Sequence, residues 1–321
     1  MSAAATMAPR WRGQPGRLEV WYTTLSDPAT STGCWIHHEL VAPDHGAPYV
    51  HGWAALFGTE GEPVLERFGP AEAEATVATG DSPGRGWPST PDAVFDPPAL
   101  RGGAGRLGWD LRWDEATPEP TALYTFPAWA WEREALPAAQ VVPVPSAVFS
   151  GTLSLDGEVL SLSEQSRGNV AHIYGQGSAK RWGWLHADLG GGDVLEIVSA
   201  VSRHRGLDHL PPLAFVQLRT GGRDWPRDPV MAASLFRTNL SLPTWQVRGT
   251  VGRWRLRAEI TVPEHDSVAV GYVDPDGATA TCTNSARADA EVVLERRRVR
   301  WETVAAWTLR GTAHAEVGTR P

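Results

Sequence analysis

Residues 180–189 read K-R-W-G-W-L-H-A-D-L. In an extended strand, successive side chains point to opposite faces of the sheet. Trp182, Trp184, His186 and Asp188 therefore form one row, backed by Gly183, Leu185, Ala187 and Leu189. Two indoles, an imidazole and a carboxylate on one face can stack a flat or greasy ligand and can also move a proton. An echo stands at Trp35-Ile36-His37-His38-Glu39-Leu40, against Trp184-Leu185-His186-Ala187-Asp188-Leu189. Both follow W-[I/L]-H-x-[E/D]-L, which points to two related halves, each with its own barrel-like antiparallel sheet.

The rest of the chain agrees with an all-β reading. Its 321 residues suffice for two domains of ordinary size. Short alternating runs recur between turn residues: Arg17–Leu25, Cys34–Val41, Tyr49–Gly58 and Leu107–Asp114. Asp156-Gly157 sits between two such runs and marks a hairpin. Residues 1–16 read as a flexible N-terminus, 17–142 as the first barrel and 143–321 as the second, with Pro143-Val144-Pro145 at the junction. Residues 70–106 read as a short helix followed by a long loop or lid. Arg167–Gly175 (R-G-N-V-A-H-I-Y-G) puts His172 and Tyr174 on one face, and its closeness to residues 180–189 predicts that the two segments pair. Met231–Asn239 is the best short helix of the second half.

Composition narrows the function. The net charge is −8 with Lys and Arg scattered, which excludes a general nucleic-acid surface. Arg296-Arg297-Arg298 is the one basic cluster and reads as a solvated strand face. Two distant cysteines, Cys34 and Cys282, suggest neither a disulfide framework nor a thiolate metal site. His37, His38, His45 and His51 match no tight ligand spacing, so no metal is expected. There is no G-x-S-x-G elbow and no strand–Gly loop–helix phosphate cradle, so neither an acyl-transfer serine nor a nucleotide cofactor is expected. No secretory signal and no bilayer-spanning apolar stretch are apparent, which predicts a cytoplasmic protein with no transmembrane segment. Tryptophan is the outlier: 16, against 7 Phe and 5 Tyr. Such enrichment suits barrel interiors, carbohydrate platforms or pockets for conjugated molecules.

The opening L-E-V-W-Y-T-T-L-S-D-P-A-T-S-T-G-C-W-I resembles the first motif of the lipocalin-like AttH/CrtC family. That family includes hydroxyneurosporene synthase (carotenoid 1,2-hydratase) and is similar to tocopherol cyclases and fungal Diels–Alderase folds. R-G-N-V-A-H-I-Y-G, R-W-G-W-L-H-A-D-L and V-D-P-D-G-A-T-A-T-C-T-N-S extend the resemblance over most of the chain. The resemblance implies two lipocalin-like barrels and a cavity for a polyene, prenyl or polyketide-type molecule that is hydrated, cyclised, isomerised or only bound. Many relatives carry an acidic and basic pair where this chain has Ala171-His172-Ile173-Tyr174-Gly175, which argues against carotenoid hydration.

The candidate catalytic residues are His172, Tyr174 and His186 as proton donors or bases, with Asp188 to orient. Trp182, Trp184, Trp35, His37 and Trp21 are the candidate ligand-binding walls. The main expectation is a cofactor-free cyclase, isomerase or hydratase acting on a hydrophobic small molecule. A non-catalytic carrier with the same cavity and a carbohydrate-binding module remain open. Enclosed Trp would favour the first two, and exposed coplanar Trp the third.

Overall fold

Alternating runs of apolar and polar residues become strands throughout. The computed structural model describes residues 3–58, 61–70, 87–114, 121–134 and 136–321. The chain divides into two compact units: 1–124, 129–177 and 273–278 in the first, and 125–128, 178–272 and 279–321 in the second. Each is a single antiparallel sheet with short helices. None of the described helices is long and apolar enough to cross a membrane.

The first sheet is built from β1 (Arg17–Asp27), β2 (Thr32–Ala42), β3 (Tyr49–Phe57), β4 (Val64–Phe68), β5 (Ala93–Asp96), β6 (Ala99–Ala104), β7 (Leu107–Trp113), β8 (Leu123–Tyr124), β9 (Ala138–Leu155), β10 (Glu158–Ser161) and β11 (Arg167–Gly175). Its order is β4-β3-β2-β1-β11-β9-β7-β6-β5. The second holds β12 (Arg181–Gly190), β13 (Asp193–Val201), β14 (Leu213–Thr220), β15 (Arg223–Trp225), β16 (Phe236–Thr238), β17 (Thr244–Val251), β18 (Trp254–Thr261), β19 (Val268–Val273), β20 (Thr279–Arg297) and β21 (Trp301–Thr319). Its order is β15-β14-β13-β12-β21-β20-β18-β17-β16. The two paths are the same path walked twice. Within each unit the sheet curves until its ends approach, β4 against β6 and β14 against β16. The expected all-β, two-barrel architecture is therefore what the chain adopts.

Each curved sheet wraps a core of its own. Trp21, Ile36, Phe95, Leu111, Phe149 and Val170 pack inside the first. Leu185, Ile197, Val216, Trp245, Leu256 and Val292 pack inside the second. Alternation along a strand thus assigns faces. Leu185 and Ala187 belong to the core, so Trp184 and His186 lie on the opposite face. In the first sheet Cys34 and Ile36 are core, so Trp35 and His37 lie opposite.

Several local expectations change. Pro143 and Pro145 lie inside β9, where register shifts against β11 accommodate them. Proline lacks an N–H for the ladder and settles at such irregularities. The first unit accordingly continues to Gly177. β11 pairs with β1 and β9, and β12 with β13 and β21, so the two segments expected to pair do not. Part of the expected loop is the β5–β6 hairpin, while 71–86, with most of the expected short helix, lie outside the described residues. After the short helices α1 (Ala3–Met7) and α2 (Ala128–Glu132), the helix of the second half, α3, is Pro229–Ala233, capped by Asp228, and the chain returns to strand at Phe236.

The segment 3–16 is packed. A short helix, α1 (Ala3–Met7), precedes a buried Trp11. Its anchor is Glu19, a fully buried carboxylate on the core face of β1. Glu19 accepts from the Arg10 N–H (2.6 Å), the Trp11 N–H (2.9 Å) and His172 Nε2 (2.9 Å).

Candidate functional site

His172 is the hub of that anchor. Its Nδ1 donates to the Thr6 carbonyl at 2.7 Å while Nε2 donates to Glu19. Both ring nitrogens are therefore engaged, one by a backbone carbonyl of the N-terminal segment and the other by the Glu19 carboxylate of β1. The ring stacks on Trp21 at 4.7 Å, and the Trp21 indole N–H bonds the Met7 carbonyl. Tyr174 accepts from Gln14 Nε2 at 2.6 Å, and burial, with Glu134 nearby, pushes its hydroxyl up. His172, Tyr174 and Trp21 thus stand together on the core face of the first unit, apart from Trp35 and His37.

Trp35 and His37 belong to a buried polar wall on the other face of β1–β3. His37 Nε2 donates to Glu39 at 3.0 Å, and His51 Nε2 lies 3.7 Å from the same carboxylate oxygen. Arg67 donates to His51 Nδ1 at 2.9 Å. A guanidinium only donates, so that nitrogen keeps its lone pair and the His51 proton sits on Nε2, towards Glu39. Burial, opposed by Glu39 and aided by Arg67, holds His51 at about 4, so the ring is neutral near pH 7. Tyr22 and Trp53 stand edge-on to His37 at 5.1 and 5.3 Å. His38, one residue on, points into the core between Phe68 and Phe95.

The second unit carries its own wall on the face of β12 away from the core. His186 sits opposite Glu196 of β13 on one side and His314 of β21 on the other. His186 Nδ1 donates to Glu196 Oε1 at 2.5 Å, and Trp184 Nε1 donates to Glu196 Oε2 at 2.8 Å. Glu196 is fully buried. Trp182 Nε1 donates to Glu316 at 2.9 Å, and the Trp182 ring covers Gly318, its cross-strand neighbour. His314 packs on the Trp184 ring at 4.8 Å, and burial lowers its basicity. Two indoles, two imidazoles and two carboxylates therefore form one connected patch. His186 Nε2 is buried and has no hydrogen-bond partner among the described residues.

Trp182, Trp184 and His186 share the expected row, but Asp188 does not serve His186. Its carboxylate accepts from the Gly190 N–H at the following turn. Glu196 takes that place, a residue that the alternation of residues 180–189 alone does not mark. The signal was present: a hairpin centred on Gly191 puts Glu196 across from His186, in a strand otherwise largely apolar.

A buried carboxylate behind a histidine does two things. It fixes which nitrogen carries the proton, and it stabilises the imidazolium when the other nitrogen takes one. His186 with Glu196 has this arrangement, and so in outline does His37 with Glu39. Cys34 is buried, which pushes its thiol up to about 12 and leaves it unsuited to nucleophilic work.

A family model described as tocopherol cyclase-like matches residues 119–319. An uncharacterized protein of Mycobacterium tuberculosis is 48% identical over 313 residues, covering 97% of this chain and 89% of the relative. Among solved structures, an AttH-type protein from Nitrosomonas europaea superposes with a TM-score of 0.60 at 15% identity, covering 94% of this chain and 92% of that one. CghA gives a TM-score of 0.60 at 13% identity, covering 98% and 92%. Kievitone hydratase from Nectria haematococca gives 0.52 at 12% identity, covering 99% and 94%. At such identities the three structures share a fold with this chain.

Proposed function

The chain belongs to the tocopherol cyclase-like family, and from that premise we propose that it binds a hydrophobic small molecule of polyene, prenyl or polyketide type. It catalyses cyclisation, isomerisation or hydration of that molecule without a cofactor, by proton transfer at His186. The observation that carries the reading is the unpartnered, buried Nε2 of His186 with Glu196 bonded behind it. Other buried polar atoms also lack a partner among the described residues, both nitrogens of His38 included; what sets His186 apart is the buried carboxylate on its other nitrogen, which fixes the proton there and leaves Nε2 to exchange one.

In this reading the ligand lies against the wall of β12, and the filled core of the sheet is left to packing. Trp182 and Trp184 give it apolar faces, and their indole N–H groups are already held by Glu316 and Glu196. His186 gives a proton from Nε2 to the substrate, or takes one, while Nδ1 stays on Glu196. Positive charge that develops on the substrate is met by the indole faces and by the carboxylates behind them. Water or a group of the substrate then captures the electrophilic centre, and the proton released returns to Nε2. An imidazolium is a weak acid. It suits a conjugated carbonyl, an enol or a phenol better than an isolated alkene, which favours prenylated phenols and polyketides within the class.

His172 is assigned a positioning role, because both of its nitrogens are engaged, one by the Thr6 carbonyl of the N-terminal segment and the other by Glu19 of β1. A carbohydrate platform fits poorly. Trp35 and Trp184 are buried, and among the described residues Trp129, at 55%, is the strongly exposed tryptophan.

The test begins with native mass spectrometry of protein from its own host, to identify a bound molecule and its class. His186→Gln and Glu196→Gln should then slow turnover of that molecule about 10²–10⁴-fold, with affinity kept within a few-fold. Unchanged turnover in both variants would sink the catalytic role. Binding with no turnover by the unmodified protein would make it a carrier, and an empty protein that takes up sugars would return the carbohydrate reading.

A further inference from the structure

One end of the second unit combines positive charge with exposed apolar side chains. The long β20–β21 hairpin closes through Arg298, Val299 and Arg300. Val299 stands 99% exposed at its tip, between two arginines. The β17–β18 turn lies alongside, with the Arg297 N–H bonded to the Arg253 carbonyl at 2.7 Å. Gly252, Arg253, Arg296, Arg297 and Arg298 together line a concave basic surface.

This charge is hardly neutralised locally. Of Arg253, Arg296, Arg297, Arg298 and Arg300, only Arg298 has a carboxylate within ion-pair distance among the described residues, Glu302 at 3.8 Å. The surplus is local, because the whole chain carries −8. Arg296 lies over the Trp254 ring at 5.2 Å, and neighbouring Arg255 over Trp301 at 4.5 Å. Indoles topped by guanidinium groups beside an apolar tip are the side chains that settle at a bilayer interface.

The apolar character extends along the same end. Helix α3 leads into β16, whose Phe236 pairs with Gly249, three residues from the Gly252 turn. Met231 on that helix is 74% exposed, and Leu235 just after it is 50% exposed. A single-ion site would not need these protrusions, and a nucleic-acid backbone has no use for them.

We propose that this end of the second unit docks on an anionic phospholipid bilayer, the arginines meeting lipid phosphates and Val299 and Met231 entering the headgroup boundary. The proposal stands apart from the assignment of His186, although a hydrophobic substrate would be reached from such a surface.

The experiment is co-sedimentation of the full chain with vesicles of phosphatidylcholine alone and of phosphatidylcholine with 30–40% phosphatidylglycerol (roughly a strongly anionic surface). Binding is expected to the anionic vesicles only, and to fall steeply as salt is raised. Each arginine near such a surface contributes about fivefold in affinity, so Arg297→Ser with Arg298→Ser should weaken binding about 25-fold. Val299→Asp should also weaken it, with charge at the arginines unchanged. Far-UV circular dichroism and the thermal midpoint confirm that the variants stay folded, and the salt series on the unmodified protein needs no variant. The proposal is overturned by absence of binding to anionic vesicles or by binding that survives the double substitution. Displacement from vesicles by millimolar inorganic phosphate would overturn it in favour of a single-anion site. Equal binding to a duplex oligonucleotide would overturn it in favour of a general polyanion surface.

Discussion

Replacing His38 by leucine should change how stability depends on pH more than it changes stability itself. His38 lies inside the first unit, between Phe68 at 5.0 Å and Phe95 at 5.4 Å. Neither of its ring nitrogens has a partner among the described residues. Burial, helped by His37, pushes its pKa down to about 3. A histidine in the unfolded chain titrates near ~6.5. Between those values the unfolded chain binds a proton that the folded chain refuses, so stability is full above pH 6.5 and is lost as the pH falls towards 3. At pH 5 the unfolded state gains a factor of about 30, or about 2 kcal/mol, from this one site. At pH 7 the same site contributes only about 0.2 kcal/mol. Leucine removes the buried imidazole, relieving about 1–3 kcal/mol of unmet hydrogen bonding. It also gives up two ring contacts of about 0.5–1.5 kcal/mol each, so near neutrality the exchange almost cancels. Urea unfolding followed by tryptophan fluorescence at pH 7 and pH 5 measures both. The variant should gain about 2 kcal/mol on the parent between the two pH values. A difference between the proteins that stays flat across that range would refute the buried neutral imidazole.

Two further substitutions probe the wall and the N-terminal anchor. A Cβ at Gly318 would run into the Trp182 ring, so Gly318→Ala should drive the indole off its seat, break its bond to Glu316 and cost about 1–3 kcal/mol; an unchanged near-ultraviolet circular dichroism spectrum would contradict this. Glu19→Leu leaves His172 Nε2 and the Arg10 and Trp11 N–H groups without their buried acceptor and should cost about 3–5 kcal/mol, with new tryptic cleavage after Arg10 and Arg12. Adding His172→Leu should restore much of that loss, and a double variant as weak as the single one would show that the pair is not the cause.

Period-two alternation made most strands legible, because a strand with one face in a core has little freedom in its pattern. Leu107–Trp113 is the clearest example, with four buried large side chains on one face. Three features escaped for identifiable reasons. The Pro143-Val144-Pro145 run looked like a linker because proline interrupts ladders, yet β9 takes both prolines at register shifts. The β5–β6 hairpin has strands of four and six residues, one of them holding Gly102 and Gly103, too short to establish a period. The N-terminal segment looked loose because its own residues are small. Its order comes from Glu19 and His172, a carboxylate and an imidazole buried on core faces far apart in sequence. A charge on the same face as Trp21 was the available hint that something must cover it.

The candidate wall was legible to the same degree, and its partner error is physical. The repeated W-[I/L]-H-x-[E/D]-L falls on β2 and β12, which are not equivalent strands. In the shared path, the counterpart of β2 is β13, and that of β12 is β1. The motif therefore marks no duplicated strand, although both copies turn Trp and His away from their cores. On one strand face, neighbours two residues apart are separated by about 6.6–6.8 Å of backbone. Glu39 spans that gap and bonds His37. Asp188 has one methylene fewer and stands two residues before Gly190, whose N–H it takes instead. His186 is then served across the ladder, by the long side chain directly opposite it on β13. The same imidazole–carboxylate contact thus arises along a strand in one unit and between strands in the other. Only the second route requires the hairpin register before the partner can be named.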